Sequence, residues 1–184
     1  MEVQEFDTRS IERVPRVTRV ERSFGFIDIS GFTAFTDNHG DVAAVSALYE
    51  FRFVVRDISS SHGVRIDKWL GDGAMLVSVE TAPLVNAVLD IELRLAEYRF
   101  PLPLRAGLAG GQVILFEAED YIGTVVNLAS RLCTDAVAGQ TLATESVAAH
   151  APDWVVCKPI GEITIRGLAE PVPVVSLTGL PHEP

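Results

Sequence analysis

The sequence predicts an α+β domain with a ferredoxin-like βαββαβ core and extra C-terminal elements, its helices packed on one face of a mostly antiparallel sheet. Three observations point to this class. Short strand-like apolar runs alternate with long stretches whose apolar residues recur at helical spacing. Between Val64 and Leu76 two apolar-rich runs meet at Gly71-Asp72-Gly73, and an Asp-Gly pair in that setting is a strong hairpin signal. Pro101 and Pro103 stop the second helical stretch just before another strand-like run opens at Leu104.

Taken in order, residues 1–22 alternate Arg9, Arg13, Arg16, Arg19 and Arg22 with Glu and Asp and sustain no apolar stripe. They read as an arm or the remnant of a linker ahead of a domain over 23–180. Phe24 to Ser30 is apolar on both faces, as a buried central strand requires, and Asp28 within it is costly unless paired or metal-bound. Thr33 or Asp37 suits the start of the next helix. Leu48, Phe51, Val55 and Ile58 then form a helical stripe between Asp41 and Ser61. After the hairpin, Leu84, Val88, Ile91, Leu95 and Tyr98 form a second stripe over about Thr81 to Tyr98. Leu104 to Phe116 is strand-like and glycine-interrupted, and Gly123 to Val137 is helical. Strands follow at Gln140–Thr144, Trp154–Pro159, Glu162–Arg166 and Val172–Leu177.

Composition narrows the function classes. A net charge of −10 repels nucleic acid and anionic membranes, so a phosphate-bearing ligand needs locally placed cations. Cys133 and Cys157 offer neither ligand spacing nor a disulfide framework. No signal peptide and no membrane-length apolar run are evident, so a cytoplasmic setting is expected.

Besides Asp28, two stretches carry chemistry-bearing residues. Asp72 suits a turn on its own account. Lys68 precedes it in the same run, and a hairpin with a lysine on one arm and an aspartate at its tip suits a polyanion and a metal. Asn127 and Arg131 stand at i and i+4, which places them on one helix face. Taken alone, such a pair is an ordinary solvated one.

Phe26-Ile27-Asp28-Ile29-Ser30-Gly31-Phe32-Thr33 resembles the first metal motif of the class III nucleotidyl cyclases. Lys68-Trp69-Leu70-Gly71-Asp72 resembles their second, preceded by a purine-selecting lysine. Asp120 to Arg131 resembles their Asp-x-x-Gly-x-x-Val-Asn-x-Ala-x-Arg signature. The three motifs stand in the family's order. The resemblance implies an adenylate cyclase that converts ATP to 3′,5′-cyclic AMP and pyrophosphate with two divalent cations per site, Mg²⁺ or Mn²⁺. Asp28, Asp72 and the backbone carbonyl of Ile29 would hold metal; Arg131 would stabilise the transition state and Asn127 would orient the ribose. Lys68 and Asp120 would read the base: a pure donor and a pure acceptor fit adenine and not guanine. Guanylate cyclases of the family carry Glu and a small Cys or Ser type there. Arg166 stands where the family often has a phosphate-binding cation. The resemblance also implies a homodimer with two interface sites, without nucleic acid or membrane insertion.

Two departures stand out. Gly107-Leu108-Ala109-Gly110-Gly111 lacks the His and Ser/Thr usual at that strand, and the short interval from Gly111 to Asp120 marks the bacterial subgroup with a shortened dimerisation arm. No regulatory domain is expected within these residues. Two competitors are a non-catalytic cyclase-like nucleotide-binding regulator and a diguanylate cyclase. Leu70-Gly71-Asp72-Gly73 does not match the loop the latter requires.

Overall fold

The structure, a computed structural model, describes residues 17–117, 120–164 and 170–180. The core elements appear in the predicted order: β1 (Thr18–Ile29), α1 (Phe32–Ser61), β2 (Arg65–Leu70), β3 (Gly73–Ser78), α2 (Thr81–Glu97) and β4 (Leu104–Phe116). After them come β5 (Asp120–Ile122), α3 (Thr124–Asp135), β6 (Gln140–Thr144), α4 (Glu145–Ala148), β7 (Val155–Ile163) and β8 (Val172–Gly179). One eight-stranded sheet has the order β2-β3-β1-β4-β6-β8-β7, with β5 added on β4. Every pairing is antiparallel except β4 with β6. The α+β class holds. Among the described residues no helix is long and apolar enough to cross a membrane.

The helices differ from expectation in one respect: they cover both faces. Ile27 and Ile29 of β1 join Phe51, Val54 and Val55 of α1 and Leu84, Val88 and Ile91 of α2 in one core cluster. Phe24, one pleat away, joins Met75, Val77, Ala109, Val125 and Ala129, so α3 packs on the opposite side. A central strand apolar on both faces demands this. Leu84, Val85, Val88, Ile91 and Leu95 are all at most 2% exposed. At roughly 1.5–3 kcal/mol for each such side chain, their burial far outweighs the roughly half a kcal/mol each that Val and Ile cost in a helix.

Other boundaries shift for local reasons. β1 begins at Thr18, and its charged first residues, Thr18 to Arg22, pair with Leu115 to Gly111 of β4. Residues 1–16 lie outside the described residues. Neither Thr33 nor Asp37 caps α1; the helix enters directly from Gly31 at φ 79°, and Gly40 (φ 80°, ψ 169°) breaks it where the predicted stripe begins. Tyr98 lies just beyond α2 and is 49% exposed, so it is no part of the buried stripe. The two strands predicted over 154–166 are one strand, β7, with an irregularity between Pro159 and Gly161. β5 and α4 have no counterpart in the sequence reading.

Candidate active site

Asp28 lies late in β1, paired in register with Gly73 of β3 and Arg105 of β4. The Arg105 guanidinium donates to one Asp28 carboxylate oxygen from Nη2 at 2.6 Å and from Nε at 2.9 Å. Asp28 in return holds the guanidinium above its ordinary pKa. Asp72 occupies the β2–β3 turn. Its carbonyl accepts from the Ile29 N–H at 3.3 Å, which fastens the turn to the end of β1. Burial pushes the Asp72 carboxyl up, and the Asp28 charge adds to this, while its own backbone N–H and Arg105 oppose it. The two aspartates therefore share one electrostatic environment.

Lys68 of β2 donates through Nζ to a carboxylate oxygen of Asp120 in β5, with both side chains about half exposed. This hydrogen bond, and the charge behind it, raise the lysine pKa. Tyr121 secures β5 by packing edge-on against Phe24 at 5.2 Å and by accepting a hydrogen bond from Arg65 at 3.2 Å. The charges that act on Lys68 are those of Asp120 and Asp67, whereas those that act on Asp72 are those of Asp28 and Arg105. The two pairs thus stand on different elements: Lys68 and Asp120 on β2 and β5, Asp28 and Asp72 on β1 and the β2–β3 turn.

Asn127 and Arg131 are exposed on α3, one turn apart, and neither makes a side-chain hydrogen bond or ion pair among the described residues. The same helix abuts the aspartate site: Ser130, Cys133 and Thr134 line a cleft of about 180 Å³ together with Asp28, Gly73 and Arg105. The structure thus brings Asp28 to Asp72 and Lys68 to Asp120. It joins Asn127 and Arg131 to neither pair by a direct contact. Arg166 lies outside the described residues.

Sequence reading missed Arg105. A single arginine inside the apolar run Leu104-Arg105-Ala106 was the available signal. It also missed Gly73. A Cβ there would sit 2.6 Å from the Ile27 carbonyl oxygen and 3.1 Å from an Asp28 carboxylate oxygen. Glycine therefore keeps open the space into which Asp28 points.

That open space bears on a metal. Two mutually repelling carboxylates make an all-oxygen donor pair of the kind hard divalent cations take. No group of three or more His, Cys, Asp or Glu side chains converges among the described residues, so no cage closes around an ion. Mg²⁺ suits such a half-open set, because it commonly takes one or two carboxylates and completes its shell with substrate phosphates and water. The residues fit.

A βαββαβ core with an aspartate pair at its β1 end and a lysine–aspartate pair across β2 and β5 defines a nucleotidyl cyclase type of domain. The sequence model of the adenylate and guanylate cyclase catalytic domain matches residues 19–177, and the chain belongs to that class III family. An uncharacterized protein of Mycobacterium tuberculosis is 36% identical over 158 residues, which cover 86% of this chain and 41% of that protein. A pH-sensitive adenylate cyclase of the same species is 35% identical over 127 residues, covering 66% of this chain and 30% of its own length. The chain thus spans well under half the length of these relatives. Among solved structures, the adenylyl cyclase CyaB from P. aeruginosa superposes with a TM-score of 0.79 at 25% identity, covering 89% of this chain and 96% of that one. The guanylyl cyclase Cya2 superposes equally well, at 0.78 and 21% identity, over 90% of this chain and 95% of its own, and shows the fold alone.

Proposed function

We propose that this chain is the catalytic domain of an adenylate cyclase, forming 3′,5′-cyclic AMP and pyrophosphate from ATP in sites shared by two copies. The observation that carries the base preference is the Lys68–Asp120 pair. Adenine presents an acceptor at N1 and a donor amine at N6. Lys68 can donate to the first and ionised Asp120 can accept from the second. Guanine presents the reverse at N1 and O6 and would leave both groups mismatched.

In the cyclisation the ribose 3′-hydroxyl loses its proton to solvent, its oxygen bonds to the α-phosphorus, the bond from that phosphorus to the β-phosphate bridging oxygen breaks, and pyrophosphate departs. Asp28, Asp72 and the Ile29 carbonyl would hold two divalent cations, Mg²⁺ or Mn²⁺, whose chemistry is to acidify the hydroxyl and neutralise phosphate charge. Arg131 would donate to the α-phosphoryl oxygens where negative charge accumulates. Asn127 would fix the ribose so that the 3′-oxygen faces phosphorus. Arg105, which donates to Asp28 in this structure, would be a further cation on the aspartate side that could offset phosphate charge.

Asn127 and Arg131 make no side-chain hydrogen bond or ion pair among the described residues, and the Lys68–Asp120 pair is built on β2 and β5 while Asp28 lies on β1. This division supports a site completed by a second copy. Incubating the purified protein with ATP and Mn²⁺ or Mg²⁺ should yield cyclic AMP, with far less cyclic GMP from GTP. ATP bound without turnover at high protein concentration would instead identify a nucleotide-binding regulator, and equal use of GTP would remove the base assignment.

A further inference from the structure

The turn that carries Asp72 is held from two sides, and one of the holding groups is outside every motif described above. Asp72 is flanked by two planar peptide units. The unit after it is fixed by its carbonyl, which accepts from Ile29 N–H at 3.3 Å. The unit before it is fixed by the Gly71 carbonyl, which accepts from Arg52 Nη2 of α1 at 3.0 Å. Gly71 has φ 70°, a left-handed conformation that glycine adopts without strain, inside a turn closed by the Leu70–Gly73 pairing.

Arg52 is itself positioned. Its guanidinium lies 5.0 Å from the Trp69 ring centroid, and its Nε is buried without a hydrogen-bond partner among the described residues. The group is therefore placed by the ring face beneath it and not by a mesh of polar contacts. Trp69 in turn rests edge-on against the fully buried Phe51 at 6.4 Å. Arg56 also stacks on Trp69, at 5.1 Å, yet makes no hydrogen bond to the turn among the described residues. One cation thus stacks and holds the turn; the other only stacks.

We propose that Arg52 is a positioning residue for the metal-binding half-site: by fixing the Gly71–Asp72 peptide plane from α1, it sets the direction of the Asp72 carboxylate. The inference rests on the reading of Asp28 and Asp72 as cation ligands. Outer groups that orient a metal ligand typically contribute about 10- to 100-fold in affinity. Arg52 acts through backbone, so the lower end, about tenfold, is expected.

The test compares wild type, Arg52→Met and Arg56→Met for Mn²⁺ binding, read from the loss of the free-ion electron paramagnetic resonance signal beyond that of a protein-free blank holding the same non-cyclisable ATP analogue. Cyclase activity against Mn²⁺ concentration is measured in parallel, and melting temperature confirms that each variant is folded. Arg52→Met should raise the Mn²⁺ midpoint about tenfold in both readouts, with the rate at saturating Mn²⁺ changing less. Arg56→Met should stay within about twofold of wild type, since it removes only stacking. An unchanged midpoint in Arg52→Met, or equal shifts in both variants, overturns the proposal. If Arg52→Met does not fold, Arg52→Gln takes its place: a polar head suited to the half-buried site, but too short to reach Gly71. Wild type that binds no Mn²⁺ would refute the metal-site reading itself, a result distinct from any difference between variants.

Discussion

Glu92 of α2 should make this domain less stable as the pH rises, and Glu92→Gln should remove that dependence. Its carboxylate accepts a hydrogen bond from Thr141 of β6 and lines a cleft under Phe100 to Leu104, where burial pushes its pKa from 4.5 to about 7; the Thr141 bond only partly opposes this. The folded state holds the proton more tightly than the unfolded chain. The associated stability is therefore full below about pH 4.5 and is lost as the pH rises through about 7. At 1.36 kcal/mol per pH unit, the shift is worth about 3 kcal/mol, an upper value because the cleft is open on one side. Glutamine keeps the acceptor for Thr141 and never ionises. At pH 5, where the unfolded carboxyl is already about three-quarters ionised, the variant should melt only about 2–3 °C higher. At pH 8 the variant should melt higher by about 5–10 °C, at about 2–4 °C per kcal/mol for a chain of this size. Thermal melts from pH 5 to 8.5 by circular dichroism read the difference, and the difference cancels every other titrating group. An advantage that is the same at pH 5 and pH 8 would refute the assignment.

Other predictions concern packing near the aspartate site. A Cβ at Gly107 would overlap the backbone of Ala129 and Cys133, so Gly107→Ala should cost about 3 kcal/mol or more and displace α3, lowering the denaturation midpoint and abolishing turnover together. Burial pushes the Cys133 thiol up to about 12, with the Asp28 charge adding and Arg105 opposing. At pH 8 it should be about one part in ten thousand thiolate. A thiol reagent should therefore modify the half-exposed Cys157 alone in the folded protein and both cysteines in denaturant, as mass spectrometry would read.

How much of this was visible in the chain depends on how local the cause was. The hairpin, α2 and β4 follow from nearest-neighbour patterns, and each appears within a residue or two of its predicted bounds. Asp28 was conspicuous because a carboxylate inside an apolar strand needs a reason. Its partner Arg105 is 77 residues away and becomes a neighbour only through the β1–β4 register. The same holds for Arg52, which reaches Gly71 only because α1 crosses beneath the hairpin. The placement of α3 on the second face was implicit in a strand apolar on both sides, yet no local pattern says which helix provides the cover. The sequence pattern starts β1 only at Phe24 because Arg19, Glu21 and Arg22 mask the pairing of its exposed first half. β5 is three residues long and exists only through its pairing with β4, so it left no periodicity to find.

The central claim is that each catalytic site is assembled from two copies, one contributing Asp28 and Asp72, the other Lys68, Asp120, Asn127 and Arg131. Mixing Asp28→Ala with Arg131→Ala tests it most directly. Each variant alone should be inactive. In an equal mixture half the dimers pair unlike chains, and each of these carries one site with every group intact, so activity should return to about a quarter of wild type. A mixture as inactive as its parents, with mixed dimers shown to form, would contradict the shared site.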